Sequence, residues 1–185
     1  MKRFVTAALA FAFVGVLAPA PTAAQITVGI GGAATIPTGD YGDYANTGWM
    51  GSVGIMAPVG SSGLGVAVDG FYGSNNHSDI DGDKTNLLGV TGSLGYAIAT
   101  GGSMMPYVFG SLGFMKHSYK SDTYPDLEDS VSGLAFGGGA GVSFPLGSIN
   151  GNVQGTYLMG SGDIDGTQFF AIGAGIGIPI GGDAM

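Results

Sequence analysis

The stretch INGNVQGTYLM, residues 149–159, decides the fold because its side chains change character at every step. Its odd positions are apolar or glycine, from Ile149 to Met159, and its even positions from Asn150 to Thr156 carry amides or a hydroxyl. Successive side chains of a β-strand point to opposite faces. The stretch therefore predicts a strand with one apolar face and one polar face.

Seven other segments follow the same period of two and are bounded by Gly, Asn, Asp or Pro. They cover residues 26–34, 48–58, 64–72, 88–98, 104–120, 130–144 and 167–180. In 104–120 both faces carry aromatic residues, so the pattern does not decide which face points outward. Eight strands is an even number, as a closed antiparallel barrel in an outer membrane normally has.

The composition favours a barrel in a membrane over one in water. The chain has 38 Gly, no Cys, 10% charged residues and a mean hydropathy of +0.36. The less apolar strand faces consist mainly of Gly, Ala, Ser and Thr, which suit the narrow interior of an eight-stranded barrel. We therefore predict an all-β, closed, antiparallel up-and-down transmembrane β-barrel. A soluble periplasmic, lipocalin-like binding barrel is the alternative, disfavoured because the strands carry too few charges for a water-facing surface.

The first 24 residues have the layout of a secretory signal peptide. Lys2 and Arg3 are positive, residues 4–17 are apolar or small, and small residues precede Gln25. The 14-residue apolar run is shorter than the ~20 residues of a spanning helix. We expect cleavage between Ala24 and Gln25, a single barrel domain over 25–185, and export to the outer membrane of a Gram-negative bacterium.

The links between strands form two groups that differ in length and in charge. Long polar links are expected at 35–47, 73–84, 121–129 and 160–166, and short ones at 59–63, 99–103 and 145–148. All 13 acidic residues except Asp69 and Asp183 lie in the long links. Long loops face outward and short turns face the periplasm in such barrels, so we expect an acidic outer end and periplasmic termini. The acidic balance also argues against nucleic-acid binding.

The segments IPTGDY at 36–41, PYVFGSLGF at 106–114 and the glycine-alternating last strand resemble the small outer-membrane β-barrels of the opacity, attachment-invasion and OmpA type. The resemblance covers most of the chain after residue 24, and its motifs are loose. It implies insertion by the barrel-assembly machinery and contact with outer-membrane lipid and lipopolysaccharide. We expect a monomer, and no external partner is indicated.

Two histidines are the candidates for catalysis. His117 precedes Ser118, as in an outer-membrane lipid deacylase of similar size, but neighbours in a strand point to opposite faces. Ser118 therefore cannot serve His117 as a nucleophile, and a cluster of His117 with Lys116 and Tyr119 near the loops is the favoured interpretation. His77 is expected on an exposed loop, and we predict no enzymatic activity.

Carboxylates two positions apart are the candidates for metal binding. They are Asp79, Asp81 and Asp83 in one link and Asp163 and Asp165 in another. The twelfth position counted from Asp79 is Val90, so the EF-hand pattern fails. We interpret both groups as solvated acidic turns and predict no cofactor, although clustered acids could recruit divalent cations that bridge lipopolysaccharide phosphates.

Asp69 is the only acid inside a predicted strand, on the face expected to line the lumen. No arginine is available after residue 24, and a lone buried carboxylate is costly. We expect it to be hydrogen-bonded to the lumen amides of Asn150, Asn152 or Gln154, or protonated. The alternative is that it lines a small pore or a ligand site.

The sequence thus predicts a non-enzymatic outer-membrane barrel with a structural or surface-interaction role. A narrow, porin-like channel that favours cations and a soluble periplasmic binding barrel are the other two hypotheses.

Overall fold

The computed structural model describes residues 25–78, 82–121 and 129–180. Eight strands account for most of these residues: β1 Ile26–Thr38, β2 Gly48–Val59, β3 Leu64–Asn76, β4 Asp83–Ala97, β5 Met105–Ser121, β6 Asp129–Leu146, β7 Ile149–Ser161 and β8 Gln168–Ile180. One short helix, α1 (Gly39–Gly42), follows β1, and a 3-10 turn at Gly162–Ile164 precedes β8.

The strands form a closed antiparallel barrel in chain order. Each strand pairs with its neighbours in sequence, and β1 pairs with β8 from Ile26–Ile180 to Thr38–Gln168. Closure leaves no edge strand with unpaired backbone groups, which is what a sheet needs within hydrocarbon. The predicted fold class and all eight predicted strands are confirmed.

The barrel has two unlike ends. One, here named the α1 end, carries α1, the 3-10 turn and the link between β3 and β4. The other, the terminal end, carries the turns after β2, β4 and β6 together with Ile26 and Ile180. No helix within the described ranges is long and apolar enough to cross a membrane.

The strands run further toward the α1 end than the apolar alternation predicted. β3 continues to Asn76 and β4 begins at Asp83, where Asn76 pairs with Lys84. Backbone pairing does not need apolar side chains, so it continues past the point where the alternation stops. The links at this end are therefore shorter than predicted, and 98–104 at the terminal end is as long as several of them.

The strand faces are assigned by burial and register. Bulky apolar side chains point out of the barrel, while Gly, Ala, Ser and Thr dominate the inside. In β5 the outward face, undecided from sequence, carries Leu112 and Phe114, which are 60% and 42% exposed. Tyr107 and Phe109 of the same strand point inward.

A compact set of apolar side chains fills the barrel at the α1 end. We call it the interior plug: Tyr41, Phe71, Leu87, Met115, Ala135, Leu158, Ile164, Phe169 and Ala171. Tyr41 enters it from α1, so the helix closes the barrel from above. The core of this molecule is thus the inside of one half of the barrel.

Candidate functional site at the α1 end

Most described acids gather at the α1 end. Asp40 and Asp43 lie in and beside α1, and Asp163 and Asp165 lie in and after the 3-10 turn. The segregation of acids to one end follows the sequence prediction, but two of the acids sit in strands rather than loops. These are Asp83 at the start of β4 and Asp129 at the start of β6.

Asp83 is a correction to the expected solvated turn. It faces the interior and is only 2% exposed, and the Tyr119 hydroxyl donates a hydrogen bond to its Oδ2. The reason is the extended pairing of β4, which turns Asp83 inward opposite Ser121 of β5.

Two of the remaining metal candidates lie within the described residues. Asp163 and Asp165 are exposed, and Asp79 and Asp81 lie outside the described residues. Within the described ranges, no group of three His, Cys, Asp or Glu side chains is placed to hold a metal ion.

The two histidines are joined through buried threonines. Thr85 Oγ1 lies 2.9 Å from His77 Nε2 and 3.2 Å from His117 Nε2, and His117 Nδ1 lies 2.9 Å from Thr167 Oγ1. The four side chains therefore connect the link after β3 with strands β4 and β5 and the turn before β8.

The hydrogen-bond inventory limits the directions of these bonds. A threonine hydroxyl has one hydrogen and two lone pairs, so Thr85 donates to at most one of the two imidazoles and accepts from at least one of them. Each neutral imidazole has one donor and one acceptor, and this matches the bonds available to His117.

His77 is not the exposed loop residue that the sequence predicted. It is half-buried because Tyr44 and Tyr119 pack against its ring, at centroid distances of 5.2 and 5.4 Å. The backbone bridge between Ala45 and His77 brings the link after α1 against it. Tyr41 packs edge-on against His117 at 5.7 Å.

The cluster proposed for His117 is only partly as predicted. Tyr119 shares the inward face of β5 with His117, but Lys116 and Ser118 point outward. Sequence reasoning missed Thr85 and Thr167. Extending the period of two from Leu88 back to Asp83 would have placed Thr85 on the inward face.

A cleft of about 250 Å³ opens at this end. We call it the mouth cleft, and its main polar and aromatic lining is Tyr44, His117, Tyr119, Asp129, Asp163 and Asp165. Burial, with a smaller contribution from the charge of Asp40, raises the pKa of Tyr44 above its ordinary value. With three carboxylates in its wall, the cleft repels anions.

The residues predicted to line the lumen lie nearer the terminal end than the interior plug does. Register places Asp69 on the interior face between Gly54 and Thr91, and Asn150, Asn152 and Gln154 on the interior face of β7. Among the described residues, Asp69 makes no hydrogen bond to these amides. Gln154 instead accepts one from the Tyr107 hydroxyl at 2.9 Å, and Asp69 leans over Gly54, which has no side chain to displace it.

A closed barrel with a bulky apolar outside and a small-residue inside is the architecture of an outer-membrane protein. The family of outer membrane protein beta-barrel domains matches residues 5–177. The chain belongs to this family. The α1 end is therefore one end of an outer-membrane barrel. No curated protein matches the chain in sequence.

Solved structures of small outer-membrane barrels are similar to this one. Neisserial surface protein A superposes with a TM-score of 0.69 at 15% identity, over 84% of this chain and 97% of that one. The attachment invasion locus protein Ail of Yersinia pestis has a TM-score of 0.58 at 15% identity, over 85% and 99%. The outer membrane enzyme PagL has a TM-score of 0.50 at 19% identity, over 83% and 99%. At these identities the shared property is the fold.

Proposed function

We propose that this outer-membrane barrel is a closed, non-enzymatic protein that acts through surface contact at its α1 end. The observation that carries this proposal is the interior plug. Tyr41, Leu87 and Phe169 are fully buried inside the barrel, so the lumen is filled with packed side chains at one end. A filled lumen favours a structural or contact role over a channel.

The arrangement around His117 supports a non-enzymatic role. Ser118 faces away from it, and the hydroxyls that do contact it belong to Thr85 and Thr167, both almost fully buried. A nucleophile must be reached by its substrate. The His117 hydrogen bonds are therefore better explained as fastening the α1 end together.

The negative charge of the α1 end disfavours some classes of binding partner. One structure of Ail contains a heparin analogue, sucrose octasulfate, which is a polyanion. The mouth cleft of this chain is lined by Asp129, Asp163 and Asp165. Repulsion between like charges argues against a polyanion as the partner here.

We also propose that residues 1–24, which lie outside the described residues, act as a signal peptide in a Gram-negative bacterium. The α1 end then faces outward, and the barrel-assembly machinery inserts a monomer among outer-membrane lipid and lipopolysaccharide. The intact mass of protein recovered from the outer membrane tests the cleavage site. We expect the mass of a chain that begins at Gln25.

Electrical recording in planar bilayers tests the closed lumen. The purified protein should insert without producing reproducible conductance steps. A matched variant with Leu87→Ala and Phe169→Ala, reconstituted at the same density, shows whether thinning the plug opens a path. Steady steps from the wild-type protein would contradict the proposal and favour the cation-selective pore.

A further inference from the structure

The two halves of the lumen differ in chemistry. The half toward the α1 end is filled by the interior plug, which is apolar. The other half opens at the terminal end, and we call it the vestibule. It is lined by inward side chains with hydroxyl, amide or carboxylate groups: Asp69, Thr91, Ser93, Tyr107, Ser111 and Gln154. Asp69 lies at its inner end, because Phe71, the next inward residue of β3, belongs to the plug.

Within the described ranges, side chains do not fill the vestibule. Met56 and Met105 face inward near the terminal end, yet each is 50% exposed. A Cβ built on the inward Gly65 would meet only the carbonyl oxygen of Ala57 within 4 Å, at 3.5 Å. Water enters a cavity that is roomy and offers polar partners. The vestibule is therefore accessible to water from the terminal end.

The Asp69 carboxylate has no partner among the described residues. It is half-buried and makes no hydrogen bond or ion pair with them. All three lysines after residue 24 point outward, and His77 and His117 lie on the far side of the plug. A carboxylate away from bulk water is costly unless it is paired or protonated. Its charge must therefore be neutralised by a proton or a cation from the water of the vestibule.

Other oxygen atoms lie around this carboxylate. Thr91 pairs directly with Asp69, so their side chains are neighbours on the inward face. The Tyr107 phenol is near enough for the charge of Asp69 to act on it. The Tyr107 hydroxyl donates its hydrogen to Gln154 Oε1 at 2.9 Å, so toward Asp69 its oxygen acts only as an acceptor. Such an oxygen set suits an alkali ion or the N–H groups of an ammonium.

The charge of the oxygen set favours a monovalent ion. One carboxylate neutralises one positive charge, whereas calcium takes about six to eight oxygen ligands and gains affinity from their charge count. We propose that Asp69 binds a small monovalent cation, an alkali ion or a primary ammonium group, that enters the vestibule from the terminal end. The site does not depend on the closed lumen or on the contact role proposed above.

A single cysteine beside Asp69 reports the charge of the vestibule, because the chain has no cysteine of its own. Ala67→Cys places it at the next inward position of β3 toward the terminal end, and Ser93→Cys on β4, which pairs with Ala67, is a second reporter. Each variant in detergent micelles is modified with 2-aminoethyl methanethiosulfonate, a cation, or 2-sulfonatoethyl methanethiosulfonate, an anion of similar size. Each rate is divided by the rate of the same reagent with Ser62→Cys, in the exposed turn after β2.

We expect the cationic reagent to be favoured about tenfold at Ala67→Cys, because a unit charge roughly 6 Å away changes each rate about threefold, in opposite directions, in a medium as polar as water. Asp69→Asn should bring the ratio of the two rates to about one. Both reagents attack the same thiolate, so the ratio does not depend on how much of the thiol is ionised. Heat-dependent migration on a gel checks that each variant is folded.

Competition between salts distinguishes a bound cation from simple attraction. Ammonium chloride should slow the cationic reagent about twofold at the concentration that half-fills the site. Tetraethylammonium chloride of equal ionic strength should slow it less, because the larger ion cannot approach Asp69 in so narrow a barrel and acts only by screening. This comparison leaves Asp69 unchanged, so it remains decisive if Asp69→Asn fails to fold.

Three results would overturn the proposal. If neither reporter cysteine reacts with either reagent, the vestibule is closed to water. A ratio near one with Asp69 in place would mean that a proton, and not a cation, neutralises the carboxyl group. Equal slowing by the two salts would leave screening without a bound ion. None of these results bears on the closed lumen, which the bilayer recordings test separately.

Discussion

The Phe109 ring lies across Gly139 of the neighbouring strand, and this contact shows why so many glycines line the inside. A Cβ built on Gly139 would lie 2.7 Å from Phe109 Cζ and closer still to the carbonyl oxygen of Gly155. Tyr107 lies across Gly141 in the same way. An eight-stranded barrel is narrow, so each large inward side chain needs a neighbour without one.

Gly139→Ala should therefore destabilise the barrel by about 1–3 kcal/mol, as overpacking does. The measurement is the midpoint of urea unfolding in detergent micelles. Gly155→Ala is the matched control, because a Cβ built there meets nothing within 4 Å. An equal shift for both variants would show that the effect comes from the loss of glycine and not from contact with Phe109.

The Thr85 hydroxyl is within hydrogen-bond distance of both imidazoles, so Thr85→Val should remove one hydrogen bond from each. Burying unsatisfied polar groups costs about 1–3 kcal/mol, and we expect a loss of that size in the same unfolding measurement. Thr156→Val is the control, since this inward threonine makes no side-chain hydrogen bond within the described ranges. A neutral Thr85→Val variant would mean that the histidine network contributes nothing to stability.

At the scale of elements, α1 matters because it places one tyrosine inside the barrel. Tyr41 is completely buried, and it contacts Tyr44 edge-on at 5.5 Å. Burial, with a smaller effect from Tyr44, raises the pKa of Tyr41 above its ordinary value, and the Thr85 hydroxyl opposes this only in part. The phenol therefore stays protonated in the folded protein at pH values where it ionises in the unfolded chain.

This difference in pKa makes the folded protein less stable at high pH. The stabilisation is complete below the unfolded pKa of about 10, and it is lost as the pH rises from there toward the higher folded pKa. Above about pH 10 the wild-type protein should lose up to about 1.4 kcal/mol more per pH unit than Tyr41→Phe. Unfolding midpoints between pH 8 and pH 11, measured on both proteins, check this, and parallel curves would refute it.

At the scale of the whole molecule, the orientation of the barrel in the membrane is the next prediction. The chain has no cysteine, so single cysteines report position without background. In intact cells, a membrane-impermeant maleimide should label Asp163→Cys at the α1 end but not Ser62→Cys at the terminal end. After permeabilisation both should react. Labelling of Ser62→Cys alone in intact cells would invert the assignment.

The sequence predicted the global fold well because a closed barrel requires a period of two on every strand, and residues 149–159 display it openly. It predicted the α1 end less well. There the strands continue without apolar alternation, so the pattern predicts a loop at Asp83 and an exposed side chain at His77, and it gives no signal for Thr85. The contact between His117 and Thr167 depends on closure of the barrel, which brings residues 50 positions apart together. No local pattern carries that information.

The extra strand length at the α1 end has a consequence for recognition. Beyond Tyr72 and Leu88, the last large apolar side chains on their outward faces, β3 and β4 remain paired as far as Asn76 and Lys84. The surface of the α1 end is therefore partly a sheet whose backbone is already hydrogen-bonded. A partner that binds to this sheet does not need to order its backbone, so binding should lose less conformational entropy than binding to flexible loops. Calorimetry with any partner found for this end would show this as a small entropic penalty.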